Sequence, residues 1–108
     1  MNASMFLETM INVLKFDSKF KDKKASLLPI LRRCYLSNQP QYGFVYHGRS
    51  GQRYENIEIR VPVPLLDQAN ELQEDLYNLV EYVYEESDEY GLGGVPVRPQ
   101  ILRAEDVE

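Results

Sequence analysis

The chain has 108 residues, 44% of them hydrophobic and 27% charged, the size and balance of one soluble globular domain. These figures exclude a chain disordered throughout, a collagen-like repeat and a disulfide scaffold, and they leave room for one modest core. The formal net charge is -5, but it is divided along the chain. Residues 1–60 carry ten Lys and Arg against five Asp and Glu, whereas residues 61–108 carry two against twelve. Such a division predicts complementary surfaces that meet within one molecule, between copies or against a third partner; the plainer reading is two independently solvated faces.

Residues 3–16 read as a short amphipathic helix, with Phe6, Leu7, Met10, Val13 and Leu14 at three- and four-residue spacing. Asn2 or Ser4 is placed to cap its start. A helix this short needs a docking surface to be stable. The stretch contains Glu8, Thr9 and Asn12 with no basic segment before it, so it reads as neither a targeting signal nor a membrane span. A cytoplasmic location is expected. Residues 17–25 form a basic connector holding Lys21, Lys23 and Lys24. Ser26 then reads as an N-cap and Pro29 as a first-turn residue of a second helix over about 27–37, ended by Ser37-Asn38-Gln39-Pro40.

A hairpin pattern follows. Tyr42, Phe44 and Tyr46 alternate, and Gly48-Arg49-Ser50-Gly51 supplies a glycine-bracketed turn. Ile57, Ile59, Val61 and Val63 then alternate with Glu58, Arg60 and Pro62, the pattern of a strand with one covered face. Residues 65–88 read as one long helix, because Leu65, Ala69, Leu72, Leu76, Leu79 and Val83 form an unbroken seam at alternating spacings of four and three. Gly91, Gly93 and Gly94 offer its exit. Val95, Val97 and Ile101 suggest a last strand, confined to a sheet edge or an extended arm by Pro96 and Pro99. The expected fold is therefore α+β, in the order ααββαβ: two short N-terminal helices, a β-hairpin, one long amphipathic helix and a C-terminal edge strand. Residues 1–104 form a single domain on this reading, and Glu105-Asp106-Val107-Glu108 a frayed acidic tail.

Catalytic constellations are weak. His47, Ser50 and the nearby Glu55 and Glu58 share one hairpin, which rarely sets up a nucleophile, base and orienting acid. One His and one Cys do not make an ordinary structural zinc site, and the acids Asp67, Glu71, Glu74 and Asp75 on a helix cannot wrap a cation as a loop does. Gly91-Leu92-Gly93-Gly94 follows a helix instead of opening one, so it is no phosphate cradle. Cys34, the single cysteine, reads as a small buried hydrophobe. No enzyme activity, cofactor or metal is expected.

What remains points to binding. Tyr77, Tyr82 and Tyr84 widen the apolar arc of the long helix, and tyrosine is enriched at interfaces. With Lys21, Lys23 and Lys24 they are the candidate partner-binding residues of a non-enzymatic interaction domain: a small subunit, adaptor or inhibitor. Its partner is another protein or a second copy in a homodimer. The alternative is single-stranded nucleic acid, with Tyr42, Tyr46 and Tyr54 stacking on bases and Arg49, Arg53 and Arg60 holding phosphates. The acidic C-terminal half works against it. No membrane is expected as a partner.

Overall fold

The computed structural model describes residues 3–43, 52–86 and 97–104. In chain order these are helix α1 (Ala3–Phe16), a 3-10 segment (Ser18–Lys23), α2 (Lys24–Leu31), strands β1 (Tyr35–Gly43) and β2 (Gln52–Val61), helices α3 (Val63–Glu71) and α4 (Gln73–Glu86), and strand β3 (Val97–Arg103). The chain is thus mixed helix and sheet, as its sequence suggests. The expected turn at 48–51, the helix exit at 91–94 and the tail at 105–108 lie outside the described residues, as do Asn2, Phe44, Tyr46, His47, Arg49 and Ser50.

α1 follows its apolar spacing: Phe6, Met10 and Leu14, four residues apart, are its buried positions. The basic connector is ordered into the 3-10 segment. Asp17 caps it in an extended conformation, its carboxylate accepting a 2.9 Å hydrogen bond from Lys19 N. Phe20 is buried at a kink within the segment and ties it to the core.

The second helix differs from its expected span of 27–37. It starts at Lys24 and ends at Leu31. Ser26 is therefore inside it, and its hydroxyl donates back to Lys23 O at 3.1 Å instead of capping. Pro29 lies in the body of the helix, which stops two residues later. The amides of Arg32, Arg33 and Cys34 bond back to Leu28 O and Ile30 O and close the last turn. Residues 35–38 are strand, not helix, so Tyr35 belongs to the sheet.

The sheet has the order β1-β2-β3. β1 and β2 are antiparallel, with Tyr35 opposite Arg60 and Tyr42 opposite Arg53; β2 and β3 are parallel, with Ile59 opposite Ile101. Pro40 and Pro99 sit on the two edge strands, where a missing N–H is tolerated. Central β2 follows the predicted alternation: Ile57, Ile59 and Val61 are fully buried, and Glu58 and Arg60 face the other way. It ends at Val61, since Pro62 has no N–H and starts the next helix as its N-cap; Val63, expected on the same covered face, is instead the first residue of α3 and exposed.

The single helix expected over 65–88 is two. α3 ends at Glu71, and Leu72 leaves helical geometry (φ -99°, ψ 17°) before α4 begins at Gln73. The seam crosses this break undisturbed: Ala69, Leu76, Leu79 and Val83 are buried, and Leu65 and Leu72 pack partly buried on the same core. Together α3 and α4 form the crossover between parallel strands β2 and β3. Among the described residues the buried apolar side chains make one cluster, shared by all the helices and the inner face of the sheet.

Candidate protein interface

The most elaborated surface lies where the 3-10 segment runs beside α4. Two contacts fix its ends. At one, Tyr82 Oη donates a 2.7 Å hydrogen bond to Asp17 Oδ2. At the other, Lys23 Nζ lies 3.4 Å from Asp75 Oδ2. The residue numbers rise on one element as they fall on the other, so the two run antiparallel. Between the contacts the Phe20 ring meets Tyr82 edge-on, with centroids 5.3 Å apart and planes at 71°. Lys19 Nζ sits 4.5 Å from the Tyr82 centroid, a cation–π arrangement. These groups, with Asn78, Glu81 and Glu85, line a cleft of about 330 Å³. The hydrogen bond from Tyr82, then the one from Lys19 N, hold the Asp17 carboxyl below its ordinary value of 3.8.

Charge is segregated across this cleft. The 3-10 segment and the first residue of α2 carry the exposed Lys19, Lys21, Lys23 and Lys24 against one exposed acid, Asp22; the α4 side carries Glu74, Asp75, Glu81 and Glu85. Beyond the lysines lies a groove of about 430 Å³ between Lys21, Lys24 and Arg32, floored by Leu28 and Pro29. Beyond α4 lies one of about 510 Å³ lined by Glu71, Glu74, Tyr77 and Glu81 among others. The division seen along the sequence is therefore spatial, and Lys23–Asp75 is a point where the two halves touch. At the end of α1, one residue before Asp17, Phe16 is 82% exposed, the most exposed of the large apolar side chains described.

The tyrosines singled out from the sequence all carry part of the fold. Tyr82 binds the 3-10 segment, as described. Tyr77 Oη accepts a 3.2 Å hydrogen bond from Ile101 N. It thereby occupies a backbone donor on edge strand β3, one of the ways an edge is kept from pairing further. Tyr84 packs partly buried against the core. Of the lysines, Lys23 has an acidic partner, and Lys21 and Lys24 line the basic groove.

The alternative set is less assembled. Tyr42, Arg53 and Tyr54 have backbone positions in the β1–β2 ladder, and Tyr46 and Arg49 lie outside the described residues. Arg60 is engaged within the molecule: Nη2 reaches Glu58 Oε1 at 3.1 Å and Nη1 reaches Arg103 O at 3.4 Å. Ser37 Oγ donates to the same Glu58 oxygen at 2.8 Å. The Arg60 guanidinium thus ties β2 to β3, and the Glu58 carboxylate it holds ties them to β1, on the face away from the core.

Phe16 and the Lys19–Phe20–Tyr82 cluster were not legible as a site. Phe16 ends an apolar helix pattern, and only its exposure sets it apart. Cys34 is buried, its Sγ 3.6 Å from Leu31 O, and burial pushes the thiol up to about 12. Among the described residues no group of His, Cys, Asp and Glu is placed to hold a metal ion, and no helix is long and apolar enough to cross a membrane. No family model, curated protein or solved structure matches the chain.

Proposed function

We propose that this chain is a non-enzymatic protein-interaction domain, a small subunit, adaptor or inhibitor. It binds protein through α4 and the adjoining 3-10 segment. The observation that carries this reading is the cleft between Lys19 and Phe20 of the 3-10 segment on one side and Glu81, Tyr82 and Glu85 of α4 on the other, with an exposed Phe16 one residue before the Asp17 that bonds Tyr82. Aromatic anchors within a rim of mixed charge are what a specific protein interface uses. A second copy of the chain is one such partner. A reducing, cytoplasmic setting suits a single buried thiol that needs no disulfide.

Capture from the native host with mass identification tests the reading. The wild-type chain and a Glu81→Lys/Glu85→Lys variant serve as baits. A protein, host or second copy, that is retained by the first and lost by the second supports the reading. Unchanged retention of every partner by the variant refutes this face. Steeply salt-dependent binding to a single-stranded oligonucleotide, with no protein captured, would favour the nucleic-acid alternative.

A further inference from the structure

The interface proposed above has a property that narrows its partner. It holds both halves of two complementary pairs: an exposed aromatic at the end of α1, next in sequence to the Asp17 that bonds Tyr82, with an aromatic-lined cleft, and a row rich in lysine with an acidic row. The rows are matched level for level. Asp17 stands beside Tyr82, and Lys23 beside Asp75. A two-fold axis parallel to α4 along the seam turns each row onto the other row of a second copy without changing its level. Lys23 then meets the second copy's Asp75, and the end of α1 meets the second copy's Tyr82. A surface that carries both complements in this order is self-complementary, the requirement of an isologous contact. The same axis keeps the two α4 helices apart, each on the other's lysine row, so their carboxylates do not face one another.

Resting on the reading of this face as a protein interface, we propose that its occupant is a second copy of the chain. Phe16 of each copy enters the Phe20–Tyr82 cleft of the other, and the Lys19–Lys23 row of each lies on the Asp75–Glu81 row of the other. Phe16 is the anchor: a large ring left 82% exposed in one copy has most of its surface to bury. The charged rows set orientation and encounter rate and are sensitive to salt.

Light scattering and sedimentation equilibrium of the full chain test this. The wild type is expected at twice the 12.6 kDa chain mass, with dimer weakening as salt rises. Phe16→Ser is expected to raise the dimer dissociation constant by about 1,000-fold, because each two-fold dimer loses two hot-spot residues worth about 30-fold apiece, with an unchanged circular dichroism spectrum. Two further variants separate self-pairing from general stickiness. Lys19→Glu/Lys23→Glu sets acids opposite the second copy's Asp75 and Glu81, and Asp75→Lys/Glu81→Lys sets lysines opposite its Lys19 and Lys23. Each alone is expected to be monomeric, and an equimolar mixture is expected to form the heterodimer. A wild-type chain that stays monomeric at about 0.1 mM in low salt, where a specific dimer of micromolar affinity forms, overturns the proposal. So does a Phe16→Ser chain that dimerises as the wild type does, or a mixture that fails to pair. A monomeric chain that still loses a captured host protein on Glu81→Lys/Glu85→Lys overturns self-pairing alone and leaves the interaction function standing.

Discussion

The Tyr82 hydroxyl donates to the Asp17 carboxylate across 65 residues of sequence, at 2.7 Å. That bond joins the cap of the 3-10 segment to the middle of α4, so one carboxylate both starts a local helix and fastens it to a distant one. The bond also leaves a titration signature. Asp17 is held below its ordinary value of 3.8, so its contribution to stability is fully present above that value and is lost as pH falls through the lower folded one. Tyr82→Phe is expected to move the Asp17 carboxyl back up toward 3.8, read by NMR titration of its side-chain resonance. An unmoved titration would mean that the bond does not form in solution.

Lys23 separates from its neighbours in the same way. Lys21 and Lys24 are exposed and line the basic groove, whereas Lys23 faces Asp75. Lys21→Glu with Lys24→Glu is expected to leave the melting temperature nearly unchanged. Lys23→Glu sets a carboxylate against Asp75 and is expected to cost about 0.5–1 kcal/mol, a surface pair being worth no more. Adding Asp75→Lys to Lys23→Glu should recover most of that loss in a double-mutant cycle. Equal effects of the three lysines would show that the Lys23–Asp75 contact carries no specific energy.

The register of β2 makes a sharper contrast. Ile59 is fully buried between Leu36 and Ile101 in the sheet, and Glu58 beside it points to the opposite face. Ile59→Asp places an unpaired charge in the core and is expected to cost about 3 kcal/mol or more. Glu58→Gln keeps an acceptor for Ser37 and weakens only the bond from Arg60, a loss of about 1 kcal/mol. Chemical denaturation of the two variants measures the difference. Equal midpoints would mean a strand shifted by one residue.

Periodicity carried the elements whose burial is one-sided. α1 and β2 were legible because Phe6, Met10 and Leu14 repeat at helical spacing and Ile57, Ile59 and Val61 at strand spacing, and each set is buried. The seam of 65–83 was read correctly as a core face but wrongly as one helix. Leu72 keeps its place in the pattern while its backbone departs, and an apolar pattern reports facing, not continuity. β1 was largely hidden. Ser37-Asn38-Gln39-Pro40 has the composition of a helix end and no alternation of its own; pairing with β2 makes it a strand, and local sequence does not carry that information. The site shows the same limit. The charge division and the tyrosines were visible along the chain, but the meeting of Lys19 with Tyr82, or Tyr77 with Ile101, depends on how helices and sheet stack.

Tyr77 offers a test of that stacking. Its phenolic oxygen accepts the Ile101 amide proton on edge strand β3. Tyr77→Phe keeps the ring and removes the acceptor. The Ile101 amide is then expected to exchange with solvent faster, by roughly 5-fold if the lost bond is worth about 1 kcal/mol of local protection. Amides of β2 should be unaffected. Unchanged exchange at Ile101 would place the protecting group elsewhere.

Cys34 is the last case, and here burial alone sets the chemistry. The thiol lies in the turn between α2 and β1, and desolvation raises it from 9.0 to about 12. In the folded chain at neutral pH it is almost wholly protonated and shielded, so a thiol reagent is expected to label it only as fast as the structure opens, and at the free-thiol rate in denaturant. The same shift makes stability depend on alkaline pH. Below 9.0 the thiol is neutral in both folded and unfolded chains and the term is constant. Between 9.0 and about 12 the unfolded chain ionises and the folded chain does not, so stability falls with rising pH, at up to about 1.4 kcal/mol per pH unit. Cys34→Ala lacks the titrating group. It is expected to lose some packing at every pH but to show a shallower decline above 9.0, measured by denaturant melts across that range. Parallel declines for the two proteins, or rapid labelling of the native thiol, would mean that Cys34 is not buried in solution.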